Sequence, residues 1–373
     1  GSYYDSDSDI TYYFVKGIVT FYSNHTKTFS LTSDVGETYE LPADTDINIT
    51  DYLNTEAHIW YSEDSQKNLK LLVFSPQIFW EHINELESDE QILDGATEID
   101  GTLSKYISFW LTEDKIDYLF AGDLLNQITS SSFAARELNI PFIGLYGACS
   151  TMSESLSMAS LFLDGGFGNY IVASTSSHFS SAERQFRFPL EYGCQRCPTC
   201  QWTVTGSGAM VLGRSGDYPK VTYVTTGLVK DYGIKDANNM GAAMAPAAVD
   251  TIYNHFKDTG RKPNDYDIIA TGDLGKVGKE ITTKLLLDYG YDISNNYIDC
   301  GDIIFDDERQ KTDCGGSGCG CSAVVTCGYL YKKLMKREIK SILLVSTGAL
   351  MSTTSSLQGE SIPGIAHAVA IEF

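Results

Sequence analysis

The sequence predicts an α/β protein made of two copies of one unit, preceded by a small β-barrel. Matched segments recur in the same order 150 to 172 residues apart, and apolar strand-like runs alternate with helical patterns inside each copy. The first part of the chain shows apolar-polar alternation instead. We therefore expect a tail at 1–9, the barrel at 10–68, and two α/β halves at 69–217 and 218–373.

The N-terminal segment is typical of antiparallel β structure. Residues 15–42 alternate apolar and polar side chains, with a turn signal at Asn24 and His25. Residues 1–9 begin with Gly-Ser and are rich in Tyr, Asp and Ser, so we set them aside as a tag remnant or a disordered tail. Residues 69–75 are assigned to the first strand of the larger fold. Such an added β unit either contacts another molecule or only packs on the main fold, and both readings stay open.

The duplication is carried by three pairs of segments. The pairs are 116–124 with 266–274, 169–175 with 341–347, and 206–213 with 364–373. In each copy a cysteine flanked by glycines opens a helical run between the first two segments, at Cys149 in the first copy. Strands that are apolar on both faces are typical of a sheet covered by helices on both sides. The helix after Cys149 is rich in small residues, which predicts two sheets that share a closely packed central helical layer.

Composition limits the classes of function. The formal net charge is -22 at pH 7, the opposite of the basic surface that a nucleic-acid binder needs. No apolar run reaches the ~18 residues that span a bilayer, and no signal-peptide pattern is visible. Nine cysteines in a large chain without an export signal favour a reducing compartment over a disulfide framework. We expect a soluble or peripheral membrane protein that binds no nucleic acid.

Several motifs point to one family. They are "GLYGACSTMSESL", "STSSHFSSAERQFRFPLEYG", "YDIIATGDLGKVG", "DCGDIIFDDERQKTDCGGSGCGCSA" and "QGESIPGIAHAVAIEF". Over residues 69–373 the chain resembles the stage V sporulation protein AD family of the thiolase and ketoacyl synthase superfamily. The resemblance implies a thiolase-like fold in αβαβα layers and a homodimer. It also implies a location in the sporulating cell and spore, soluble or peripheral at the spore inner membrane. The implied partners are other stage V sporulation membrane proteins. The implied ligand is dipicolinic acid (pyridine-2,6-dicarboxylate), with or without calcium, taken into the developing spore; the N-terminal β unit is an extension.

Cys149 follows a Gly-Ala turn and opens a helix, where thiolases hold their nucleophile. Unpaired N–H groups at a helix N-terminus can lower a cysteine pKa, so position alone favours a reactive thiolate. Its partners are incomplete, however. The usual thiolase histidine falls near Gly316 or Ser317, Asp273 stands where condensing enzymes have His or Asn, and the last loop offers only His367. Two functions stay open: a non-catalytic pocket for a small dianion, which the missing bases favour, and a cysteine-dependent acyltransferase that uses Cys149 and His367.

A planar dicarboxylate needs cationic or N–H donors on two sides, and guanidinium groups match carboxylates well. His178, Arg184 and Arg187 lie close together in the sequence, and the two arginines share a face if their segment is helical. The alternative for the arginines is pairing with Glu183, Glu191 or an acid across a dimer interface. His178 is either a structural histidine or a ligand contact.

Gln201 and Thr203 alternate along a predicted strand, so both face one side, as pocket lining or as sheet surface. Together with Cys149, Asp273, Ser317 and His367, they complete the candidate ligand set. The glycine-rich loop that contains Cys319 offers backbone N–H groups that could face an anion.

Asp123 and Asp273 are repeat-related acids at strand ends, where ligands bind in open α/β sheets. Each either caps the next helix, which we prefer for Asp123, or supplies oxygen to calcium carried with the ligand. Cys194, Cys197 and Cys200 have zinc-like spacing but lack the fourth ligand that structural zinc needs. We expect no resident metal or cofactor and retain these three as the only metal candidates.

Overall fold

The chain forms two compact units, residues 1–88 and residues 89–373. The computed structural model describes residues 2–5, 10–23, 25–33, 36–43, 49, 53–54, 56–76, 115–187 and 196–373. Among the helices in these ranges, none is long and apolar enough to cross a membrane.

The N-terminal unit is an antiparallel sheet of six strands in the order β4-β3-β2-β5-β6, with β1 paired to β2. The strands are β1 (Ser2–Asp5), β2 (Ile10–Ser23), β3 (Thr28–Ser33), β4 (Thr38–Pro42), β5 (Glu56–Asp64) and β6 (Leu69–Pro76). Alternate side chains build its core, in which Val19, Phe29, Leu31 and Ile59 are fully buried.

Three details of this unit differ from the sequence prediction. Residues 2–5 pair with β2, so the tail assignment is wrong for them. Residues 69–76 belong to the N-terminal sheet rather than to the larger fold, because the Asp64 carboxylate accepts the N–H groups of Gln66 and Asn68 and closes a turn that returns β6 along β5. In the described residues no hydrogen-bonded ladder joins β4 to β6, so the sheet is open there rather than a closed barrel.

The first α/β half contains a four-stranded sheet in the order β11-β9-β7-β8. Its strands are β7 (Tyr118–Gly122), β8 (Phe142–Gly144), β9 (Tyr170–Ser177) and β11 (Gly206–Gly213). Strands β8, β7 and β9 are parallel, and β11 is antiparallel at the edge.

The second half contains a five-stranded sheet in the order β12-β17-β16-β13-β14. Its strands are β12 (Lys220–Thr225), β13 (Ile268–Thr271), β14 (Tyr297–Asp299), β16 (Ser341–Ala349) and β17 (Gly364–Glu372). The three repeated segment pairs occupy equivalent places in the two sheets, as β7 and β13, β9 and β16, and β11 and β17. The duplicated architecture predicted from the repeats is therefore confirmed. Two short parallel strands, β10 (Trp202–Thr203) and β15 (Gly316–Ser317), join the halves.

Helices cover both sheets. They are α1 (Thr129–Leu138), α2 (Thr151–Asp164), α3 (Met240–Thr259), α4 (Gly275–Asp288), α5 (Cys300–Ile303), α6 (Asp307–Gln310), α7 (Cys321–Val325), α8 (Tyr331–Met335) and α9 (Thr353–Leu357). The described ranges also contain two π-helical turns (Phe179–Glu183, Thr326–Leu330) and four 3-10 turns (Asn126–Ile128, Ala148–Ser150, Arg184–Phe186, Pro263–Asp265).

Helix α2 lies in the predicted central layer between the two sheets. Its Ser153 hydroxyl donates to the Ser346 hydroxyl of β16 at 2.8 Å and accepts the Ser346 N–H at 3.0 Å. On the far side of the second sheet, α3 buries Met244, Ala248 and Ile252 against the strands. Serine and alanine in α2 let two sheets approach one helix closely, and this packing brings the ends of β8, β13 and β15 together at Cys149.

Candidate ligand-binding site

Cys149 lies at the entrance to the central helix. The 3-10 turn Ala148–Ser150 precedes α2, and Ala148 has a φ of 51°. The Ser150 hydroxyl donates to the carbonyl oxygen of Gly147 at 2.6 Å, which holds the turn. A residue other than glycine in the left-handed region is strained, and strained positions gather at functional sites. The turn leaves Cys149 only 8% exposed, in the wall of a cavity.

Both α/β halves contribute to this cavity. Among the described residues, its ionisable and hydroxyl side chains are Tyr146, Cys149, Glu183, Arg187 and Ser317. Its remaining walls are mainly apolar, with Leu124, Phe186, Met240, Met244 and Met351 among them. Methionine is unbranched and flexible, so these walls can adjust to a ligand.

Asp273 reaches the cavity wall from the turn after β13. Its Oδ2 accepts the Ser317 hydroxyl at 2.6 Å and the Gly318 N–H at 3.2 Å, and its Oδ1 accepts the Thr347 hydroxyl at 2.8 Å. Burial raises the pKa of Asp273, and these three donors oppose that rise.

The two repeat-related acids have diverged. Asp123 accepts the N–H and hydroxyl of Ser131 at 2.7 and 2.6 Å, which makes it the cap of α1 that the sequence favoured. In the second half the equivalent task falls to Asp299, which accepts the Gly275 N–H at 2.8 Å at the start of α4. Because Asp299 caps that helix, the Asp273 carboxylate bonds Ser317 and Thr347 instead, and its charge acts on Cys149.

A buried ion pair forms another part of the wall. Arg187 Nη2 lies 3.1 Å from Glu183 Oε2, and the two side chains are 5% and 1% exposed. Arg187 Nε donates to the Thr203 hydroxyl at 2.8 Å, whereas Nη1 has no hydrogen-bond partner within the described part of the chain. Burial raises the pKa of Glu183 to about 7, although Arg187 and the Cys319 N–H both act to lower it.

The glycine-rich loop points three successive N–H groups, at 318–320, into the protein. In order, they donate to the Asp273 carboxylate at 3.2 Å, the Glu183 carboxylate at 3.1 Å and the Ser177 hydroxyl at 2.8 Å. The loop does face anions, and these are the protein's own carboxylates.

The Cys149 thiol is not activated by this arrangement. Burial raises its pKa well above the usual value; Asp273, Glu183 and Cys319 raise it further, and only Arg187 opposes them. The expectation of a lowered pKa at the helix N-terminus is wrong, because desolvation and two nearby carboxylates outweigh the favourable position.

The two candidate histidines lie elsewhere. His367 on β17 accepts the Gly227 N–H at 3.2 Å and is not among the described residues that line the cavity. Burial lowers the pKa of His367. His178 is exposed and accepts the Ser181 N–H at 3.4 Å, which caps the following π-helical turn. The described lining therefore brings no imidazole to Cys149.

The two candidate arginines do not share a face. Arg184 is exposed, whereas Arg187 is buried. The segment changes from a π-helical turn to a 3-10 turn, and Arg187 is already extended at φ -112°, so the helical spacing does not apply. For Arg187, the alternative of pairing with Glu183 is what the structure shows.

Gln201 and Thr203 support the site from behind. Gln201 Nε2 donates to the carbonyl oxygens of Asp273 at 2.7 Å and Gly316 at 2.9 Å. Thr203 orients Arg187 through the hydrogen bond described above. Both side chains point inward, as alternation along a strand predicts.

The cysteine triplet gives no metal site in the part of the chain that the structure describes. Cys194 lies outside the described residues. Cys197 Sγ pairs with the Thr199 hydroxyl at 3.2 Å, and Cys200 Sγ donates to Asn238 Oδ1 at 3.1 Å. No group of three His, Cys, Asp or Glu residues could hold a metal ion in the described ranges.

Sequence reasoning missed the central role of two acids. Glu183 entered only as a neutralising partner, although its position four residues before an arginine is a usable signal for an ion pair. Asp299 was not singled out, since an Asp before a short helix resembles an ordinary cap.

The family model described as stage V sporulation protein AD matches residues 88–372. The stage V sporulation protein AD of Bacillus subtilis (strain 168) is 49% identical over 262 residues, which is 70% of this chain and 77% of that protein.

Two crystal structures of OleA variants from Xanthomonas campestris share the fold, each with a TM-score of 0.51. One is 14% identical and covers 76% of this chain and 83% of its own. The other, with bound lauric acid and lauroyl-CoA, is 12% identical and covers 76% and 84%. At such low identity the likeness concerns the thiolase-like fold alone.

Proposed function

This chain belongs to the stage V sporulation protein AD family, and on that premise we propose that it binds dipicolinic acid in the cavity beside Cys149. The ligand is bound for uptake into the developing spore, alone or as its calcium chelate. The cavity carries out no acyl transfer.

Arg187 is the observation that carries this proposal. It is a buried guanidinium in the cavity wall, and its Nη1 has no hydrogen-bond partner in the described residues. A guanidinium can bind a carboxylate through two parallel N–H donors, which gives both strength and direction. In an acidic chain, one buried arginine beside an enclosed space supports a carboxylate ligand.

The other walls suit the rest of such a ligand. Phe186, Leu124 and the three methionines offer apolar surface to the faces of a pyridine ring. Tyr146, about half exposed, places a phenol beside the same cavity. An aromatic dicarboxylate combines the two surface types that these walls provide.

The alternative function, a cysteine-dependent acyltransferase, has less support from the same residues. Acyl transfer needs a thiolate, a proton carrier and donors for the oxyanion. Here burial and carboxylates raise the pKa of Cys149, and the three N–H groups of the glycine-rich loop already bind protein oxygen atoms.

Titration calorimetry of the full chain with dipicolinate, with and without calcium, tests the binding. We expect saturable binding of one ligand per chain, weakened at least about tenfold by Arg187→Lys, which removes the planar fork. Arg184→Lys, an exposed position three residues away, is the matched control and leaves the affinity unchanged. The proposal is overturned if no binding occurs in either condition, or if Arg187→Lys melts like the wild type and binds equally well.

Intact mass spectrometry after incubation with acetyl-coenzyme A tests the alternative. We expect no adduct. An acetyl adduct that disappears in Cys149→Ser would replace the binding proposal with acyl transfer.

We also propose that the chain acts as a homodimer together with other stage V sporulation membrane proteins. Strand β11 pairs with β9 on one side only within the described residues, and Val211 on it is 44% exposed. An unpaired edge strand is a template for pairing with a second chain. Light scattering should give the mass of a dimer for the wild type and of a monomer for Val211→Lys; a wild-type monomer contradicts the dimer.

A further inference from the structure

The cavity as built carries more negative than positive charge. Glu183 and Asp273 are buried carboxylates in or directly behind its wall, and Arg187 is the only cation among the described residues that line it. Dipicolinate adds two negative charges. Burying charges without compensation is strongly unfavourable. Binding of the free dianion therefore needs added positive charge. This inference rests on the proposed function, that is, on the binding of dipicolinate in this cavity.

Glu183 already holds the donors that a ligand carboxylate would use. Its Oε2 pairs with Arg187 Nη2 at 3.1 Å, and its Oε1 accepts the Cys319 N–H at 3.1 Å. A guanidinium and a backbone N–H are the same kinds of group that recognise a bound carboxylate. The Glu183 side chain thus occupies the place of one ligand carboxylate while the cavity is empty of ligand.

We propose that Glu183 is the specificity-determining residue of this cavity. A ligand carboxylate displaces the Glu183 carboxylate from Arg187, and Glu183 then takes up one proton from solvent. The dianion therefore binds without an unpaired negative charge on Glu183 beside it. The added positive charge is that proton. Protonated Glu183 can in turn donate a hydrogen bond to the ligand.

The groups that face Glu183 favour this outcome. Besides Arg187 on its own segment, these groups are Asp123 after β7, Asp273 after β13, Tyr146 and Cys149 before α2, Cys319 of the glycine-rich loop and Cys321 at the start of α7. Apart from Arg187, each is an acid or a neutral group. Once Arg187 turns to the ligand, nothing cationic in this set stabilises the Glu183 carboxylate.

Glu183 differs from Asp273 because ligand binding removes its donor Arg187. Burial has already raised the pKa of Glu183 to about 7, so protonation near neutral pH is inexpensive. Asp273 keeps its donors Ser317, Thr347 and Gly318 whether or not a ligand is bound, and these oppose the rise in its pKa that burial causes.

Proton uptake is measured by calorimetry of the full chain with dipicolinate at pH 8, free of calcium, in phosphate, HEPES and Tris. The slope of the observed enthalpy against the buffer's ionisation enthalpy gives the number of protons. We expect close to one proton per ligand, and an affinity that falls about tenfold per pH unit from pH 8 to 9. In Glu183→Gln both effects disappear. Glu280→Gln, at an exposed helix position, is the matched control and keeps both.

Each outcome has one meaning. Binding by the wild type without proton uptake overturns the role of Glu183 and leaves the proposed function standing; this result needs no variant, so a poorly folded Glu183→Gln does not block the test. Proton uptake that persists in a folded Glu183→Gln also overturns it. Calcium-dependent binding without proton uptake assigns the compensation to the metal ion instead. No binding in any condition overturns the proposed function itself.

Discussion

The carboxylate of Asp273 raises the pKa of the Cys149 thiol, so the candidate nucleophile of the first half faces an acid of the second. In this arrangement the proton stays on sulfur. Asp273 is itself surrounded by hydroxyl and N–H donors, which makes it a fixed acceptor and a poor proton carrier.

Alkylation should therefore be slow at Cys149. At a fixed pH below the pKa, the fraction of reactive thiolate falls about tenfold for each unit by which the thiol pKa rises. Burial also restricts the access of the reagent to Cys149. We expect iodoacetamide at pH 8 to modify Cys149 at least about tenfold more slowly than the half-buried Cys197, as read by peptide mass mapping. Faster labelling at Cys149 would show an activated thiol and contradict this account.

Removing one member of the Arg187–Glu183 pair should cost more than removing both. Arg187→Met leaves a buried acid without its counter-charge, a loss of about 3–5 kcal/mol in the free energy of unfolding at pH 8. The double variant Arg187→Met, Glu183→Gln should regain at least half of that loss. Denaturant unfolding of the two variants measures the difference; equal losses would mean that the pair is not coupled.

Stability should fall on acidification through His255. Burial, with help from Arg261, lowers the pKa of His255 to about 4. The pKa of this histidine in the unfolded chain is about 6.5, so below pH 6.5 the unfolded chain binds a proton that the folded chain does not bind. The contribution of neutral His255 to the free energy of unfolding is therefore fully present above pH 6.5. It declines between pH 6.5 and 4, by at most about 3 kcal/mol. The difference in unfolding free energy between wild type and His255→Gln should shrink over that range.

A difference between wild type and His255→Gln that stays constant across this pH range would contradict the neutral buried histidine.

Gly320 should not tolerate a side chain. A Cβ there would lie 2.3 Å from the Gly206 carbonyl oxygen and 2.7 Å from Ser177 Oγ. Gly320→Ala should therefore destabilise the protein by roughly 2 kcal/mol or more and weaken ligand binding, since its loop holds Asp273 and Glu183. Gly260→Ala, in open space at a φ of 73°, should cost only about 1 kcal/mol and leave binding intact. Thermal melts and calorimetry of both variants decide the matter.

Residues 88–373 should fold and bind ligand alone. The family model spans 88–372, and residues 89–373 form a compact unit with its own core. We expect the shortened chain to melt cooperatively and to bind dipicolinate within about twofold of the full chain. Loss of cooperative melting would show that the N-terminal sheet is required for the fold.

Much of the architecture was predictable because it repeats. Segments 116–124 and 266–274 carry the same strand and the same Gly-Asp-Leu ending, and they occupy equivalent places as β7 and β13. A strand that is buried on both faces has a short, continuous apolar sequence, so two matching apolar runs predict two matching sheets.

The N-terminal unit was less predictable, since strand pairing depends on contacts between distant residues. The segment Leu69–Pro76 is apolar enough to pair in either sheet. The turn that Asp64 stabilises makes it pair with β5. Residues 2–5 carry no apolar pattern strong enough to indicate a strand, yet they pair with β2.

By itself, the sequence determined the duplicated α/β fold, the place of Cys149 before a central helix, and the lack of the usual histidine in the glycine-rich loop, because each is a local pattern. Only the tertiary structure decided which charges meet. Arg184 and Arg187 are three residues apart, but one lies in water and the other in a buried pair, and Asp273 rather than Asp123 faces the cysteine. Burial and electrostatic coupling depend on groups that come together only on folding, and these forces set the protonation of the site.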